Sequence, residues 1–441
     1  MHKFFKSTWL DFEVIRILGT APNGGAEICE VLEAVGSITE GDAESWYQAW
    51  HAQAARAEAT GLRCLQCKHR ELARRAFLRA ANYTRASGYM LTGPTPSQQD
   101  PRGLPIAEKA IQLFRRGVQL SRAPVEFLEI PYPGGVHLQG YLYLPPATRR
   151  PGVPPKTPIL LNCGGADSTQ EELYFLHPCA ATEHGYACLT FDGPGQGMAL
   201  RRHGLVLRPD WESVTRHVLD HLTTLAAARP AWNLDLDRIA VSGSALGGYF
   251  ALRVASDPRI KACVALDPVH DMWDFGTQHV SRAFMKAWTD GWVSNATVDA
   301  MIGFAARRSF QMHWEVSLAG AIWQLDRPTD ILLRMKQFTL KGGEGEGGGF
   351  LARVHCPTLV SGAADFLYLD VDSHTMMVWR GLQHLPEKDR TLWMAETPAD
   401  GALQAKIGAF GLSNEYTFAF LDEKLGMVRD ALEAEAEVES C

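Results

Sequence analysis

No uninterrupted apolar run in this 441-residue chain is long enough to span a bilayer, so no transmembrane helix is expected. Cationic excess is missing too: 43 lysines and arginines stand against 50 aspartates and glutamates, a formal net charge of -7. That balance leaves no basic footprint for nucleic acid and disfavours an anionic membrane surface. The opening Met1-His2-Lys3-Phe4-Phe5-Lys6 has no apolar core of a signal peptide, and Cys441, standing last, cannot be a C-a-a-X prenylation cysteine. A cytoplasmic protein without nucleic-acid or membrane partners is expected; a homodimer is left open. The nine cysteines are odd in number and scattered, which reads as reduced intracellular thiols. Cys64 and Cys67 form a C-x-x-C, but no second Cys or His pair follows at zinc spacing, so two helix-borne thiols are expected and no metal.

What is present is the composition of a globular chain, too long for one simple core. Residues 1–125 carry apolar residues at helical spacing, as in Ala73-Arg74-Arg75-Ala76-Phe77-Leu78-Arg79-Ala80-Ala81. From 126 to 270 the texture is strand and helix in alternation. Val125–Pro131 and His137–Leu144 flank Pro133-Gly134-Gly135 and predict a hairpin. Buried-strand runs begin at Pro158, Ala187, Ile239 and Ala262, and another at Thr358. Such alternation predicts an α/β architecture, a parallel sheet with helices on both faces. Residues 271–350 interrupt it with Trp273, Trp288, Trp292, Trp314 and Trp323, read as an inserted helical lid over an apolar pocket as well as helical core. Residues 351–441 complete the core. The glycine-rich stretch Gly342–Gly349 is acidic and has no following G-K-S/T, so phosphate binding is not expected and neither is any cofactor.

Within this frame, Val241-Ser242-Gly243-Ser244-Ala245-Leu246-Gly247-Gly248-Tyr249 has the outline of a nucleophile elbow, G-x-S-x-G, between a strand and a helix. Its apex is Ala245, whose methyl group cannot attack a carbonyl. Gly164-Gly165-Ala166-Asp167 follows an earlier strand, where an α/β-hydrolase offers a backbone N–H to an oxyanion; the Leu246 N–H would be the second donor. Taken alone, a Gly-Gly turn serves a bend. Phe191-Asp192-Gly193-Pro194-Gly195-Gln196-Gly197 resembles a dinucleotide fingerprint, but Pro194 favours a rigid turn beside a pocket. Asp365 closes the strand at Thr358 and falls where a triad acid sits in the order Ser, Asp, His; an aspartate there can equally be a helix cap. No histidine follows. His374 and His384 come too early for the usual spacing, and Gln404 cannot accept a proton at neutral pH.

On these motifs the chain resembles the fungal polyketide hydrolases that shorten a pigment polyketide and the related fusarin-type and cytochalasan-cluster hydrolases. The bacterial dihydroxypseudooxynicotine hydrolase looks like a more distant relative. The resemblance spans nearly the whole chain and rests on Leu78–Tyr83, Gly164–Asp167 with Glu171-Glu172, Phe191–Gly197, Arg208–Glu212, the Gly-Gly-Tyr after the elbow and Cys356–Val360. It implies an α/β-hydrolase fold with a helical N-terminal region and an inserted lid. It also implies catalytic positions at Ala245 (nucleophile), Asp365 and Gln404 (histidine), with an oxyanion hole of Gly164, Gly165 and Leu246. The expected pocket wall is Asp167, Tyr249, Trp273, Trp288 and Trp292. The implied substrate is an apolar, carbonyl-rich small molecule of polyketide type. Three functions compete: non-hydrolytic cyclisation or condensation, hydrolysis of a C–C or ester bond by a form with serine at 245, and metabolite binding without catalysis.

Overall fold

In the computed structural model, which describes residues 3–146, 156–278, 280–342, 349–365 and 367–429, the alternating texture folds into one eight-stranded sheet. Its strands are β1 (Val125–Tyr132), β2 (Val136–Tyr143), β3 (Thr157–Cys163), β4 (Ala187–Phe191), β5 (Leu234–Ser244), β6 (Ile260–Leu266), β7 (Thr358–Ala363) and β8 (Arg390–Ala395). Their order is β1-β2-β4-β3-β5-β6-β7-β8. The β1–β2 hairpin forms where Pro133-Gly134-Gly135 turns the chain, and β2 runs antiparallel to β4; every later pairing is parallel. This is the parallel α/β architecture that the alternation predicted and the α/β-hydrolase fold that the resemblance implied. The edge strand β8 was not legible: Arg390-Thr391-Leu392-Trp393-Met394-Ala395 has no continuous apolar run, because only Trp393 and Ala395 are buried.

Five helices precede the sheet among the described residues: α1 (Thr8–Leu18), α2 (Ile28–Ser37), α3 (Ala43–Gln66), α4 (Arg70–Ser87) and α5 (Gly103–Gln119). Ser7 caps α1 by accepting from the Leu10 N–H, and Asp42 caps α3 by accepting from Glu44 N–H. Helix α5 buries Ala110, Leu113, Phe114, Gly117 and Val118, a stripe at helical period. Gly117 lets α5 lie against α4, since a Cβ there would stand 2.9 Å from a Leu78 methyl.

Four helices lie between β3 and β5: α6 (Gln170–Leu173), α7 (Pro178–Glu183), α8 (Gly197–His203) and α9 (Trp211–Ala228). The elbow opens α10 (Leu246–Val254). Between β6 and β7 come α11 (Met272–Thr277), α12 (Arg282–Thr289), α13 (Asn295–Ala306), α14 (Phe310–Trp323) and α15 (Pro328–Met335). Helices α16 (Thr375–Gly381) and α17 (Phe410–Lys424) follow β7 and β8.

Side chains alternate across the strands, so each face builds its own core. Ile159, Leu161 and Val241 join Trp211 of α9, Phe250 of α10 and Trp323 of α14. Leu160, Ala240 and Val264 join Trp9, Trp50 and Phe77 of the N-terminal helices, with Phe418 of α17. Helix α14 also reaches the N-terminal region: the Trp314 ring lies 5.1 Å from Trp9 and 4.9 Å from Tyr89, and its Nε1 donates to the Tyr89 carbonyl at 2.7 Å. No helix among the described residues is long and apolar enough to cross a membrane. Residues 343–348 of the glycine-rich stretch, and Cys441, lie outside the described residues.

Candidate active site

The strand-to-helix turn after β5 has elbow geometry. Ala245 sits at φ 52°, ψ -116°, sparsely populated for a residue with a Cβ. Hydrogen bonds over-determine it: the Ala245 N–H donates to the Leu266 carbonyl at 2.9 Å, and the Ala245 carbonyl accepts from Gly248 at 3.0 Å and Val269 at 3.2 Å. The two flanking glycines are sterically required, because a Cβ on Gly243 would collide with the Gly247 carbonyl and one on Gly247 with the Cys163 carbonyl.

The loop Gly164–Asp167 leaves β3 alongside this turn. A Cβ built on Gly165 would lie 3.8 Å from the Gly247 nitrogen and 3.9 Å from the Leu246 Cβ. Gln196 clamps the loop, its Nε2 donating to the carbonyls of Gly164 (2.9 Å) and Gly165 (2.8 Å) while its Oε1 accepts from the Gly193 N–H at 2.9 Å. Among the described residues, the N–H groups of Gly165 and Leu246 donate to no protein acceptor. The turn Phe191–Gly197 is therefore the support of this loop; Gln196 was not singled out from the sequence, since only the folded chain shows what its amide holds.

The expected triad positions do not form a triad. Asp365 stands just beyond β7; its backbone bridges to Leu403 and its N–H donates to the Ala402 carbonyl at 3.1 Å, but the residue is exposed. Its carboxylate makes no hydrogen bond or ion pair among the described residues. Gln404 is buried, and its Oε1 accepts from the Tyr368 N–H at 3.0 Å. His384 Nε2 bonds the Val354 carbonyl at 2.7 Å, and His374 Nδ1 accepts from the His270 N–H at 3.2 Å. Burial pushes both His374 and its neighbour His270 down, His270 to about 4.

The pocket wall differs from expectation. A cavity of ≈150 Å³ opens between the α4–α5 connection, the Ala166–Thr169 loop, the turn after β4 and helix α14. It meets the elbow region at Ala166 and Asp167 and does not extend to Ala245 itself. Asp167 lines it as expected, together with Tyr89 and Trp314. Tyr249 does not: it is buried in the core, and its hydroxyl donates to the Pro209 carbonyl at 3.0 Å. Trp273 and Trp288 stack on each other at 6.0 Å in a separate cluster with Met285 and Val298. Trp292 is 85% exposed. Ring count along the chain could not separate these three from Trp314, because helix phase and docking decide which ring faces the cavity.

Asp167 belongs to a buried charge cluster that the sequence reading missed. Its Oδ2 accepts from Arg16 Nη1 at 2.6 Å and from the Tyr89 hydroxyl at 2.7 Å. Arg16 also forks onto Glu172 at 2.6 and 2.7 Å and approaches Glu13 at 3.5 Å; Arg85 lies 3.1 Å from Glu172. Burial opposes the charge on Asp167, but Arg16 and Tyr89 outweigh it and hold the carboxyl below its ordinary value. Burial drives Glu13 up to about 7 against the pull of Arg16. Two further carboxyls line the cavity: burial raises both Asp192 and Glu171. Among the described residues no cluster of His, Cys, Asp and Glu is arranged to hold a metal.

The esterase FrsA-like family profile matches residues 39–298. The chain is 52% identical to "Hydrolyase ccsE" of Aspergillus clavatus, covering 98% of this chain and all of that protein. It is 50% identical to "Hydrolase ORFZ" of Pyricularia oryzae over 98% of this chain and all of that protein. It is 46% identical to "Alpha/beta hydrolase psoB" of Aspergillus fumigatus over 100% of this chain and 98% of that protein. Among solved structures, the crystal structure of the 2,6-dihydroxy-pseudo-oxynicotine hydrolase superposes with a TM-score of 0.66 at 20% identity, covering 94% of this chain and 97% of that one. The structure named "AbyA5 Wildtype" gives 0.59 at 17% identity, covering 95% of each chain. Full-length identity to these fungal hydrolases, the family profile and the eight-stranded sheet together make the chain a member of the FrsA-like group of the α/β-hydrolase superfamily.

Proposed function

We propose that this enzyme works in secondary metabolism on an apolar, carbonyl-rich, polyketide-type molecule and catalyses its cyclisation or condensation without hydrolysis. One observation carries the reading. The strained elbow and the clamped glycine loop are retained, with the N–H groups of Gly165 and Leu246 uncommitted, although no serine stands at 245 and no histidine at 404. Those two donors can stabilise the oxygen of an enolate or polarise a carbonyl, work that requires no nucleophile. The cavity beside them combines apolar walls, including Ile106, Leu318 and Ile322, with polar groups at Tyr89 and Asp167. Such a pocket suits a folded apolar chain carrying carbonyl groups.

The relatives' names, hydrolase and hydrolyase, support a second reading in which a form with serine at 245 cleaves a C–C or ester bond. A fluorophosphonate probe on the chain as it stands and on Ala245→Ser, followed by intact mass measurement, separates the two. No adduct is expected on either, because the introduced hydroxyl would have no imidazole to take its proton. A phosphonyl adduct on Ala245→Ser, accompanied by ester hydrolysis, would move the assignment to a hydrolase. Metabolite binding without turnover is the third reading, and product formation by the unaltered chain excludes it.

A further inference from the structure

We propose that the proton-transfer group of this site is the Asp167 carboxylate, held by Arg16 and Tyr89 and linked through the Tyr89 hydroxyl to the Glu13 carboxyl. The inference rests on the non-hydrolytic reading above and names the acid–base group that reading leaves open.

The two oxygens of Asp167 have different tasks. Oδ2 is pinned by Arg16 Nη1 at 2.6 Å and by Tyr89 Oη at 2.7 Å. Oδ1 points toward the glycine loop: a Cβ built on Gly165 would stand 3.6 Å from it, and the same point is 3.8 Å from the Gly247 nitrogen and 3.9 Å from the Leu246 Cβ. The point where a Gly165 Cβ would stand is thus bordered by Asp167 Oδ1 on one side and by the first residues of α10 on the other. The side chain of Asp167 is 32% exposed, whereas those of Arg16, Glu13 and Glu172 are nearly enclosed. Of the three carboxyls in the cluster, Asp167 is the one that lines the cavity, beside Tyr89 and Arg85.

The charges around it are unbalanced. Helix α1 supplies Glu13 and Arg16, helix α4 supplies Arg85, the loop supplies Asp167 and helix α6 supplies Glu172. Three carboxyls thus face two guanidiniums, so the cluster is neutral only while one carboxyl keeps its proton. Burial pushes the Glu13 carboxyl up to about 7, so Glu13 is the carboxyl that holds the proton below that pH. The Tyr89 hydroxyl lies 2.7 Å from Asp167 and 3.4 Å from Glu13 Oε1, which joins the carboxylate at the cavity to the buried one. The Tyr368 hydroxyl and Glu315 of α14 also feel this cluster. Burial and then the charges of Glu315, Glu13 and Asp167 push the Tyr368 hydroxyl far above its ordinary value.

The step is then a balanced one. Asp167 Oδ1 takes a proton from a carbon next to a carbonyl. The C–H electron pair becomes the enolate, whose oxygen is held by the Gly165 and Leu246 N–H groups. The enolate carbon forms a bond to a second carbonyl carbon, whose π pair moves onto its oxygen. That oxygen takes the proton back from Asp167, so the adduct is an isomer of the substrate and no oxidant or reductant is consumed. Ionisation of Glu13 adds a negative charge behind Asp167 and raises its proton affinity, so the rate rises with pH through the Glu13 titration. Asp167 is the group that touches the substrate; Tyr89 and Glu13 are positioning residues.

The test uses the full chain and 5-nitrobenzisoxazole, an apolar carbon acid whose deprotonation opens the ring to a coloured phenolate. Binding is read by tryptophan quenching, folding by thermal melting, and turnover from pH 5 to 9. Turnover above that of free acetate is expected, rising through an inflection near pH 7. Asp167→Asn should lose turnover by on the order of 10²-fold while still binding the probe. Glu13→Gln should remove the inflection, and Tyr89→Phe should weaken it, with both variants still folded. No binding or turnover by the unaltered chain, undiminished turnover in Asp167→Asn, or an unchanged inflection in Glu13→Gln overturns the assignment. Serine labelling by the fluorophosphonate with this pattern intact sinks the cyclisation reading alone. Loss of this pattern without labelling sinks Asp167 alone.

Discussion

Lys406 Nζ lies 2.8 Å from Asp267 Oδ1, and both side chains are sealed from solvent, at 0% and 2% exposure. The pair is well satisfied. Ser361 Oγ donates to Asp267 Oδ1 at 2.7 Å, the Ala405 N–H donates to Oδ2 at 2.8 Å, and Lys406 Nζ also reaches the Gly362 carbonyl at 3.1 Å. Asp267 stands directly after β6 and Lys406 in the segment where a triad histidine was sought, so this bridge fixes that segment across the ends of β6 and β7. Lys406→Met should destabilise the chain by about 3–5 kcal/mol, because it strands a buried carboxylate. Urea melts at neutral pH read it. A change within ~1 kcal/mol would mean that Asp267 finds another partner.

Stability should also report the charge on Glu13. Its carboxyl is raised from 4.5 to about 7 in the folded state. A raised carboxyl keeps its full contribution below the unfolded value near 4.5 and loses it as pH climbs through about 7. The difference corresponds to ~3 kcal/mol at alkaline pH. Glu13→Gln should therefore match the parent near pH 4 and exceed it at pH 8. Chemical denaturation at both pH values tests the sign; greater loss at pH 8 in the variant than in the parent would defeat it.

The glycine loop and the exposed aspartate make opposite predictions. Gly165→Pro deletes one oxyanion donor and should lower 5-nitrobenzisoxazole turnover by roughly 10²-fold. Asp365→Asn alters a carboxylate with no partner among the described residues and should cost less than twofold. Both variants are compared at equal folded fraction. Should Asp365→Asn be the damaging change, a base recruited from His374 or His384 becomes the next hypothesis.

The tryptophans give a packing test. Trp314→Ala removes a ring that touches Trp9 and Tyr89 and lines the cavity, and should cost about 3–5 kcal/mol. Trp292→Ala, at a position 85% exposed, should stay within about 0.5 kcal/mol. Equal melting losses in the two would show that the α12–α13 region carries structure through Trp292.

The sequence by itself determined seven of the sheet's eight strands, the elbow and the missing nucleophile. Those are local matters: strand runs such as Ile239-Ala240-Val241 announce burial on both faces, Gly243 and Gly247 announce a turn without room for side chains, and Ala245 is read directly. Tertiary structure alone decided which polar groups meet. Glu13 and Arg16 look like ordinary polar positions on an N-terminal helix, and only docking against a loop more than a hundred residues away removes them from water and sets them beside Asp167. Helix docking likewise chose Trp314 for the cavity and left Trp292 outside; the course of the chain after β8 put Gln404 on a backbone amide, and Asp365, just past β7, stands exposed. Periodicity and turn chemistry act between near neighbours along the chain, whereas desolvation and charge pairing act between whatever the fold brings together.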